Sequence, residues 1–172
     1  REDVKDTSTF VRLVLQEDVS ILNQTPSAFY NFIQEANRHK KIASLRYVIF
    51  GGEALNLAQL EPWINRYGVR EPILVNMYGI TETTVHVTYH EISELDINRR
   101  STIGKPLEDL DLYILDENLQ PVPKGVVGEL HVSGDGVALG YLNRPELTKE
   151  RFLSPPFTGI LGKVCTKRLY KT

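Results

Sequence analysis

A short segment in the middle of the chain holds most of the side chains that could do chemistry. It reads Asn76-Met77-Tyr78-Gly79-Ile80-Thr81-Glu82-Thr83-Thr84. The amide can read the edge of a base, the aromatic ring can stack on a base, a Thr hydroxyl can donate to a phosphate oxygen, and the carboxylate can hold a hard divalent cation. The segment therefore predicts a site for a nucleotide together with its metal ion.

The residues before this segment indicate how it is positioned. The apolar run Ile73-Leu74-Val75 predicts a buried strand, so the polar residues would lie at its carboxyl end, where open α/β sheets bind ligands. The alternative is a strand that runs into a polar turn, since Gly, Thr and Asn favour turns. Equally, Glu82 could cap a helix and Tyr78 could pack in the core.

A second candidate for nucleotide contact is the pair Gly51-Gly52, which follows the apolar run Tyr47-Val48-Ile49-Phe50. Without a Cβ, these glycines can let a nucleotide approach the backbone. The pair is not a phosphate loop of the Walker type, because no Gly-Lys-Ser/Thr follows it. A simple turn after a strand is the alternative.

The elements that carry these residues alternate between helical and strand patterns up to about residue 100. Such alternation predicts an α/β fold, with a parallel sheet flanked by helices. Beyond that point strand patterns and turn residues predominate, which favours antiparallel, barrel-like strands. We therefore divide the chain into residues 1–100 and 101–172. The predicted elements are a helix capped by Thr7 or Ser8 and ending near Glu17, a strand at Val19–Asn23, a helix opened by Thr25-Pro26-Ser27, a strand at Tyr47–Phe50, a helix after Asn56, and strands at Leu110–Leu115 and Gly128–Ser133.

Composition limits the function classes. The chain has 172 residues, 41% of them hydrophobic and 24% charged, and a net charge of -2. A net charge this small and negative does not predict binding to nucleic acid or to an anionic membrane. The single Cys165 excludes a disulfide framework and a Cys-based zinc site, and no apolar run is long enough to span a membrane. His86 and His90 have a spacing that suits a metal site on a helix, but their β-branched neighbours favour a strand. A cytoplasmic setting is the default.

Several segments, taken in order, resemble the motifs of adenylate-forming enzymes, and in particular the adenylation domains of nonribosomal peptide synthetases. Asn76 to Thr84 is similar to the Asn-x-Tyr-Gly-Pro-Thr-Glu motif, with Ile80 where the family usually has Pro. Gly128 to Leu142 resembles the Gly-Glu-Leu…Gly-x-Gly-x-Ala-Arg-Gly-Tyr motif, with Leu139 in place of Arg. The remaining matches are Ile103–Pro106, Asn143–Thr148 and Arg168–Thr172, the last being the opening of the Tyr-Arg/Lys-Thr-Gly-Asp motif.

This resemblance implies a flavodoxin-like α/β subdomain followed by part of a distorted β-barrel, and a reaction that joins an amino acid to AMP. ATP and Mg²⁺ are the implied cofactors, and the acyl group would pass to the 4'-phosphopantetheine thiol of a carrier domain. Condensation domains and a small activator protein are further possible partners. The implied roles are Glu82 as magnesium ligand, Thr81 as α-phosphate contact, Tyr78 as adenine-stacking ring, Asn76 as adenine-edge amide, and Gly51, Gly52 and Gly79 as nucleotide-binding glycines.

Matching motif by motif also implies a side-chain pocket for the amino acid. Its pattern resembles that of threonine-activating domains. The chemistry is consistent with this resemblance, because Asn and His can pair with a substrate hydroxyl, and leaving these buried polar groups unpaired would penalise an apolar isostere. Ordinary roles, in a strand-like Thr83–Tyr89 segment for His86 and in the core for Met77, are the alternatives. The pocket residues are Asn23, Ile49, Gly51, Met77, Val85 and His86.

The family's phosphate loop, ribose-binding Asp and catalytic Lys do not occur among these residues, so we expect an inactive fragment of a larger synthetase. Barrel strands without their partners favour self-association as a dimer or strand-exchanged pair. The segment Gly159–Val164 matches the family poorly and is expected to be disordered. Two rival functions stay open: an acyl-CoA or aryl-acid ligase of the same superfamily, and a non-catalytic nucleotide-binding or scaffold module.

Overall fold

A computed structural model describes residues 6–97, 99, 101–154 and 168–172. Cys165 and the segment Gly159–Val164 lie outside the described residues. The elements, in chain order, are α1 (Thr7–Gln16), β1 (Ile21–Gln24), α2 (Pro26–Ala36), β2 (Tyr47–Phe50), α3 (Glu61–Tyr67), β3 (Ile73–Asn76), β4 (Thr88–Glu91), β5 (Lys105–Pro106), β6 (Leu110–Leu115), β7 (Glu129–Gly134), α4 (Pro145–Arg151), β8 (Phe152–Leu153) and β9 (Leu169–Lys171). Short 3₁₀ turns lie at Leu57–Leu60, Thr81–Thr83 and Glu94–Asp96.

Within the described residues, the strands form two sheets. The first has the order β1-β2-β3-β4-β5, with β1, β2 and β3 parallel and β4 antiparallel to β3. The second has the order β6-β7-β9-β8 and its paired strands are antiparallel. The predicted α/β class, with a helix-flanked parallel sheet followed by antiparallel strands, is therefore confirmed.

The chain divides into two compact units. The first comprises residues 1–78 and 89–105, and the second comprises residues 79–88 and 106–172. The division of the chain at residue 100, expected from the sequence, stays a prediction. Residues 79–88, however, pack with the second unit although they lie within the first hundred residues of the chain.

One face of the first sheet is covered by helices through an aromatic core. The Phe29 ring packs edge-on against Phe50 and Trp63, with centroids 5.1 and 5.0 Å apart, and Trp63 stacks on Tyr67 at 4.0 Å. Such contacts add to the burial of apolar area, which is the main stabilising contribution. This core fixes the strands whose carboxyl ends carry the candidate site residues. The strand residues on this face are Leu22, Val48, Phe50 and Leu74.

Local signals explain where the helices begin. Helix α2 starts as predicted, with Pro26 at its first turn and the Thr25 side chain accepting from the Ala28 amide. The predicted cap of α1 by Thr7 or Ser8 is wrong, because the Asp6 carboxylate accepts from the Thr9 amide at 2.8 Å and takes that place. An acidic side chain is a preferred N-cap for the same reason as Ser or Thr.

Two element boundaries differ from the sequence prediction. The helix expected directly after Asn56 is preceded by the 3₁₀ turn Leu57–Leu60, because Pro62 has no amide hydrogen with which to bond the carbonyl four residues earlier. The first strand begins at Ile21 rather than Val19, since the Val19 amide still bonds the Val14 carbonyl at the end of α1. The strand β2 lies at the predicted residues, Tyr47–Phe50.

The first strand forms an edge of its sheet, and Ile21 on it is 55% exposed. An edge strand presents backbone groups that can pair with another chain. The self-association expected from the sequence stays a prediction. No helix of the described residues combines the length and the apolar character needed to cross a membrane.

Candidate functional site

In the first compact unit, the candidate residues gather at the carboxyl edge of the parallel strands. Gln24, Phe50 and Asn76 end β1, β2 and β3 and are register partners of one another. The pairs Gly51-Gly52 and Met77-Tyr78 follow directly, so both sequence segments leave the sheet at the same edge. The prediction that the polar segment begins at the end of a buried strand is confirmed.

Two of the predicted pocket residues are neighbours across the sheet. Asn23 and Ile49 are register partners in β1 and β2, and Val75 continues the row in β3. Side chains alternate along a strand, so this row lies on the face opposite the helix-covered residues Leu22 and Val48. Asn23 is exposed and Ile49 is half-buried. This face therefore offers one amide and one apolar side chain to a ligand.

The glycine pair and Tyr78 have the exposure that a ligand needs. Gly52 has φ +83°, in the left-handed region that favours glycine, and it is exposed, while Gly51 is half-buried. Tyr78 is half-buried and lies outside the hydrophobic core cluster of this unit. The alternative of Tyr78 as a core residue is thus disfavoured. Met77 is likewise half-buried and outside that cluster.

Asn76 has a structural contact that the sequence did not reveal. The residue is 5% exposed, and its Nδ2 donates to the Thr102 carbonyl at 2.8 Å and lies 3.4 Å from the Ser101 hydroxyl. The amide therefore ties the end of β3 to the 101–102 segment. Its predicted contact with the adenine edge stays a prediction, and it would have to coexist with this bond.

In the second unit, the segment Gly79–His86 is a tight loop, and the strand expected at Thr83–Tyr89 begins only at Thr88. Thr84 and Val85 both have left-handed backbones, with φ of 60° and 70°. Positive φ is rare for a β-branched residue, and such strain tends to occur at functional sites. The predicted strand is wrong before Thr88, because contacts within the loop outweigh the β-propensity of its Thr and Val residues.

The loop closes on itself through Ile80 and Gly79. The Thr83 and Val85 amides both donate to the Ile80 carbonyl at 3.1 Å. An added Cβ on Gly79 would lie 1.9 Å from the Val85 carbonyl oxygen, so only glycine permits this approach. The closure leaves Thr81 exposed, as a phosphate contact requires.

The two remaining pocket residues lie at the end of this loop. Val85 is 61% exposed, whereas the Nδ1 atom of His86 is buried and has no hydrogen-bond partner among the described residues. A buried polar atom without a partner is costly, and native structures rarely keep one without a reason. His86 therefore retains hydrogen-bonding capacity that a ligand could use.

Glu82 is the carboxylate of the loop, and it already has a protein partner. The Tyr141 hydroxyl donates to Glu82 Oε1 at 2.5 Å, and the Tyr170 hydroxyl lies 3.1 Å from that of Tyr141. The bond from Tyr141 holds the pKa of the Glu82 carboxyl below its usual value, so the side chain is ionised at neutral pH. Burial raises the pKa of Tyr141, which keeps this hydroxyl protonated as a donor.

The donor set of this unit suits a cation delivered with a nucleotide. Glu82 offers hard carboxylate oxygens, yet the described residues contain no group of three or more His, Cys, Asp or Glu able to hold a metal. Mg²⁺ is usually held by one or two carboxylates together with substrate phosphates and water. In the first unit, His90 Nε2 lies 3.3 Å from Asp96 Oδ2, so its ring already faces a carboxylate.

Tyr141 and Tyr170 are the residues near Glu82 to which sequence reasoning assigned no role. Both fall inside segments that match family motifs, but no spacing rule links either of them to Glu82, which precedes Tyr141 by 59 positions and Tyr170 by more. The one available signal was the position of Tyr141 directly after Gly140 in the glycine-rich motif.

Comparison with known proteins agrees with this geometry. The family model described as AMP-binding enzyme matches residues 1–142. The chain belongs to the AMP-binding enzyme family. Its relatives include a dimodular nonribosomal peptide synthase of Bacillus subtilis (strain 168), 55% identical over 158 residues, which are 89% of this chain and 7% of that protein. A plipastatin synthase of the same organism is 46% identical, over 100% of this chain and 6% of its own length.

Solved synthetases share the fold of this AMP-binding chain. The nonribosomal peptide synthetase FmoA3 superposes with a TM-score of 0.84 at 29% identity, over 97% of this chain and 17% of that one. The four-domain synthetase AB3403 superposes with a TM-score of 0.81 at 32% identity, over 100% of this chain and 12% of that one. The predicted kinship with nonribosomal peptide synthetase adenylation domains is confirmed, and the chain spans less than a tenth of the two curated relatives' lengths.

Proposed function

We propose that this chain is part of an adenylation domain that activates an amino acid for a nonribosomal peptide synthetase. In the proposed reaction a carboxylate oxygen of the amino acid attacks the α-phosphorus of ATP, and pyrophosphate leaves as aminoacyl-AMP forms. The observation that carries the proposal is the closed loop Gly79–His86, which combines an exposed Thr81 hydroxyl with an ionised Glu82. Chemistry of this kind depends on positioning and on charge stabilisation more than on a protein nucleophile.

The candidate residues of the nucleotide site have separate roles in this reaction. Thr81 donates its hydroxyl to an α-phosphate oxygen, and Tyr78 stacks on the adenine ring. Gly51, Gly52 and Gly79 let the nucleotide approach the backbone. Glu82 holds Mg²⁺, which when bound neutralises charge on the phosphate oxygens. The half-buried position of Tyr78 and the exposure of Thr81 and Gly52 support these assignments.

For the amino acid we propose L-threonine. The exposed Asn23 amide is suited to a substrate hydroxyl, and so is His86 Nδ1, which has no hydrogen-bond partner among the described residues. Ile49, Gly51, Met77 and Val85 are the other residues proposed to recognise the amino acid. FmoA3 has been solved in an α-methyl-L-serine-AMP bound form. That amino acid, like threonine, carries a hydroxyl on its β-carbon, which supports a β-hydroxy amino acid here.

The proposed acceptor is the 4'-phosphopantetheine thiol of a carrier domain in the same synthetase. A solved adenylation protein of Klebsiella oxytoca, NpsA, has been studied as an artificial fusion with a carrier domain, and it superposes on this chain with a TM-score of 0.80 at 26% identity. The acceptor distinguishes the two candidate functions: an adenylation domain transfers the acyl group to a carrier domain, whereas the alternative ligase transfers it to coenzyme A. Supplying each acceptor in turn to the full-length protein distinguishes the two.

Amino-acid-dependent exchange of pyrophosphate into ATP tests the proposal in the full-length protein. Threonine is expected to support the fastest exchange among the proteinogenic amino acids. Exchange fastest with a different amino acid would keep the adenylation activity and remove the threonine assignment. Absence of exchange with every amino acid would remove the adenylation activity itself.

Substituting His86→Ala is expected to lower kcat/KM for threonine by about 5-fold to 150-fold, because leaving a buried hydrogen-bonding partner unpaired costs about 1–3 kcal/mol. The preference for threonine over 2-aminobutyrate, which lacks the hydroxyl, should fall by a similar factor. His39→Ala is the matched control, since His39 is also half-buried but lies beside Glu35 in the first unit, away from the loop. Equal losses for threonine and 2-aminobutyrate would contradict the assignment of His86 to the hydroxyl.

A further inference from the structure

The loop that carries Glu82 is held by the glycine-rich segment Gly134–Tyr141 of the same compact unit. The Ala138 amide donates to the Glu82 carbonyl at 2.8 Å, and the Tyr141 hydroxyl donates to Glu82 Oε1 at 2.5 Å. The Thr84 hydroxyl donates to the Gly136 carbonyl at 2.7 Å. Two sequence motifs that are far apart in the chain are therefore joined at both the main chain and the side chain of Glu82.

Tyr141 is itself fixed in position. Its amide donates to the Thr148 hydroxyl at 2.9 Å, and its ring packs edge-on against Phe152, with centroids 5.4 Å apart. Phe152 in turn packs edge-on against Tyr170 at 4.9 Å. The Tyr170 hydroxyl lies 3.1 Å from the Tyr141 hydroxyl and completes this set of contacts. Packing of this kind holds a donor in one orientation before any ligand arrives.

The hydrogen bond occupies one of the two carboxylate oxygens. A carboxylate has about four acceptor sites, so Oε1 can keep the bond from Tyr141 while Oε2 remains for another partner. Partners that orient a metal-binding side chain are important in known sites, where their loss lowers metal affinity or activity by about 10–100-fold. A tyrosine fixed by its neighbours is suited to this role.

We propose that Tyr141, supported by Tyr170, is a positioning residue that holds Oε1 of Glu82 so that Oε2 binds the divalent cation of the nucleotide. The inference rests on the proposed function, because it assumes that Glu82 is the metal ligand. It assigns Tyr141 of the glycine-rich segment and Tyr170 of β9 to the support of the metal ligand. Tyr141 acts through Glu82 and has no contact of its own with the cation.

Binding of Mn²⁺ to the full-length protein with a non-hydrolysable ATP analogue tests this role without relying on activity. Free Mn²⁺ is measured by its electron paramagnetic resonance signal. Tyr141→Phe is expected to weaken Mn²⁺ binding by about 10-fold or more. Tyr170→Phe should weaken it less, because its hydroxyl acts through Tyr141. Binding of the analogue without metal should not change in either variant.

A double-mutant cycle with Glu82→Gln separates positioning from a general loss of stability. If Tyr141 acts through Glu82, Tyr141→Phe should weaken Mn²⁺ binding no further in the Glu82→Gln background. Additive losses, or unchanged or tighter Mn²⁺ binding by Tyr141→Phe alone, would overturn the inference.

Tyr30→Phe is the matched control, since its hydroxyl also has two hydrogen bonds, to the Asn56 backbone, but lies in the other compact unit. It should bind Mn²⁺ like the wild type, and a weakening equal to that of Tyr141→Phe would overturn the inference. If the wild type binds the metal and the analogue, and Tyr141→Phe binds them equally well, only this inference is overturned. If the wild type binds neither the metal nor the analogue, the proposed function is overturned as well.

Discussion

Glu82→Gln is expected to lower threonine-dependent pyrophosphate exchange by about 10²–10³-fold, the loss typical of removing one group that stabilises transition-state charge. Gln has the same size as Glu and can still accept the hydrogen bond from Tyr141. The substitution therefore removes the negative charge and keeps the local contacts. The measurement is the exchange rate of the full-length protein at saturating ATP, Mg²⁺ and threonine.

The control for this prediction is Glu129→Gln, which removes a carboxylate from the same compact unit without touching the loop. Glu129 forms an exposed ion pair with Lys171 at 3.1 Å. Such surface pairs contribute little, about 0–1 kcal/mol, so exchange should stay close to the wild-type rate. Near-normal exchange by Glu82→Gln would contradict a metal-binding role for this residue.

The lowered pKa of Glu82 also gives the pH range in which its charge is retained. Because the folded-state pKa lies below the unfolded value, the bond to Tyr141 stabilises the fold above the unfolded pKa, and this contribution disappears as pH falls through the folded value. The negative charge of Glu82, on which its proposed role as metal ligand depends, is therefore present throughout the neutral range. Loss of the charge accompanies acid conditions that also weaken the loop.

The elements that the sequence predicted well are those decided by local patterns. The strand Tyr47–Phe50 and the start of α2 at Pro26 agree with the prediction, because an apolar run and a Thr-Pro cap act within a few residues. The same patterns predicted that the polar residues lie at the carboxyl edge of the sheet. Parallel strands with in-register ends bring Gly51 and Met77 to one edge.

What the sequence did not yield depends on contacts between distant segments. Val85 has a residue type that favours strands, yet its backbone is left-handed because the loop closes on Gly79. The amide of Asn76 is bonded to the Thr102 carbonyl, and Glu82 to Tyr141. No local propensity encodes such pairs, since each forms only when the whole unit has packed. The partners of Asn76 and Glu82 could therefore be found only once the fold was known.

Gly79→Ala is expected to destabilise the protein by about 1–3 kcal/mol, the usual cost of overpacking, and to abolish threonine-dependent exchange. The new Cβ would lie 1.9 Å from the Val85 carbonyl oxygen and 2.8 Å from the His86 Cα. Both contacts are with backbone atoms, so the loop must open to relieve them. Opening displaces Thr81 and Glu82 together. Thermal inactivation and the exchange rate, measured on the same full-length variant, report the two effects.

The matched control for this substitution is Gly68→Ala, which separates a general loss of stability from opening of the loop. Gly68 has φ +78° and ψ -165°, a conformation that almost only glycine adopts, and no atom of the described residues lies within 4 Å of an added Cβ, so alanine there costs only backbone strain, about 1–3 kcal/mol. Gly68→Ala should be inactivated at a lower temperature than the wild type, but below that temperature it should exchange pyrophosphate at the wild-type rate. If Gly79→Ala behaved in the same way, the close approach to Val85 would not be needed for the chemistry. Loss of exchange in Gly79→Ala alone would instead tie the activity to the closed shape of the loop.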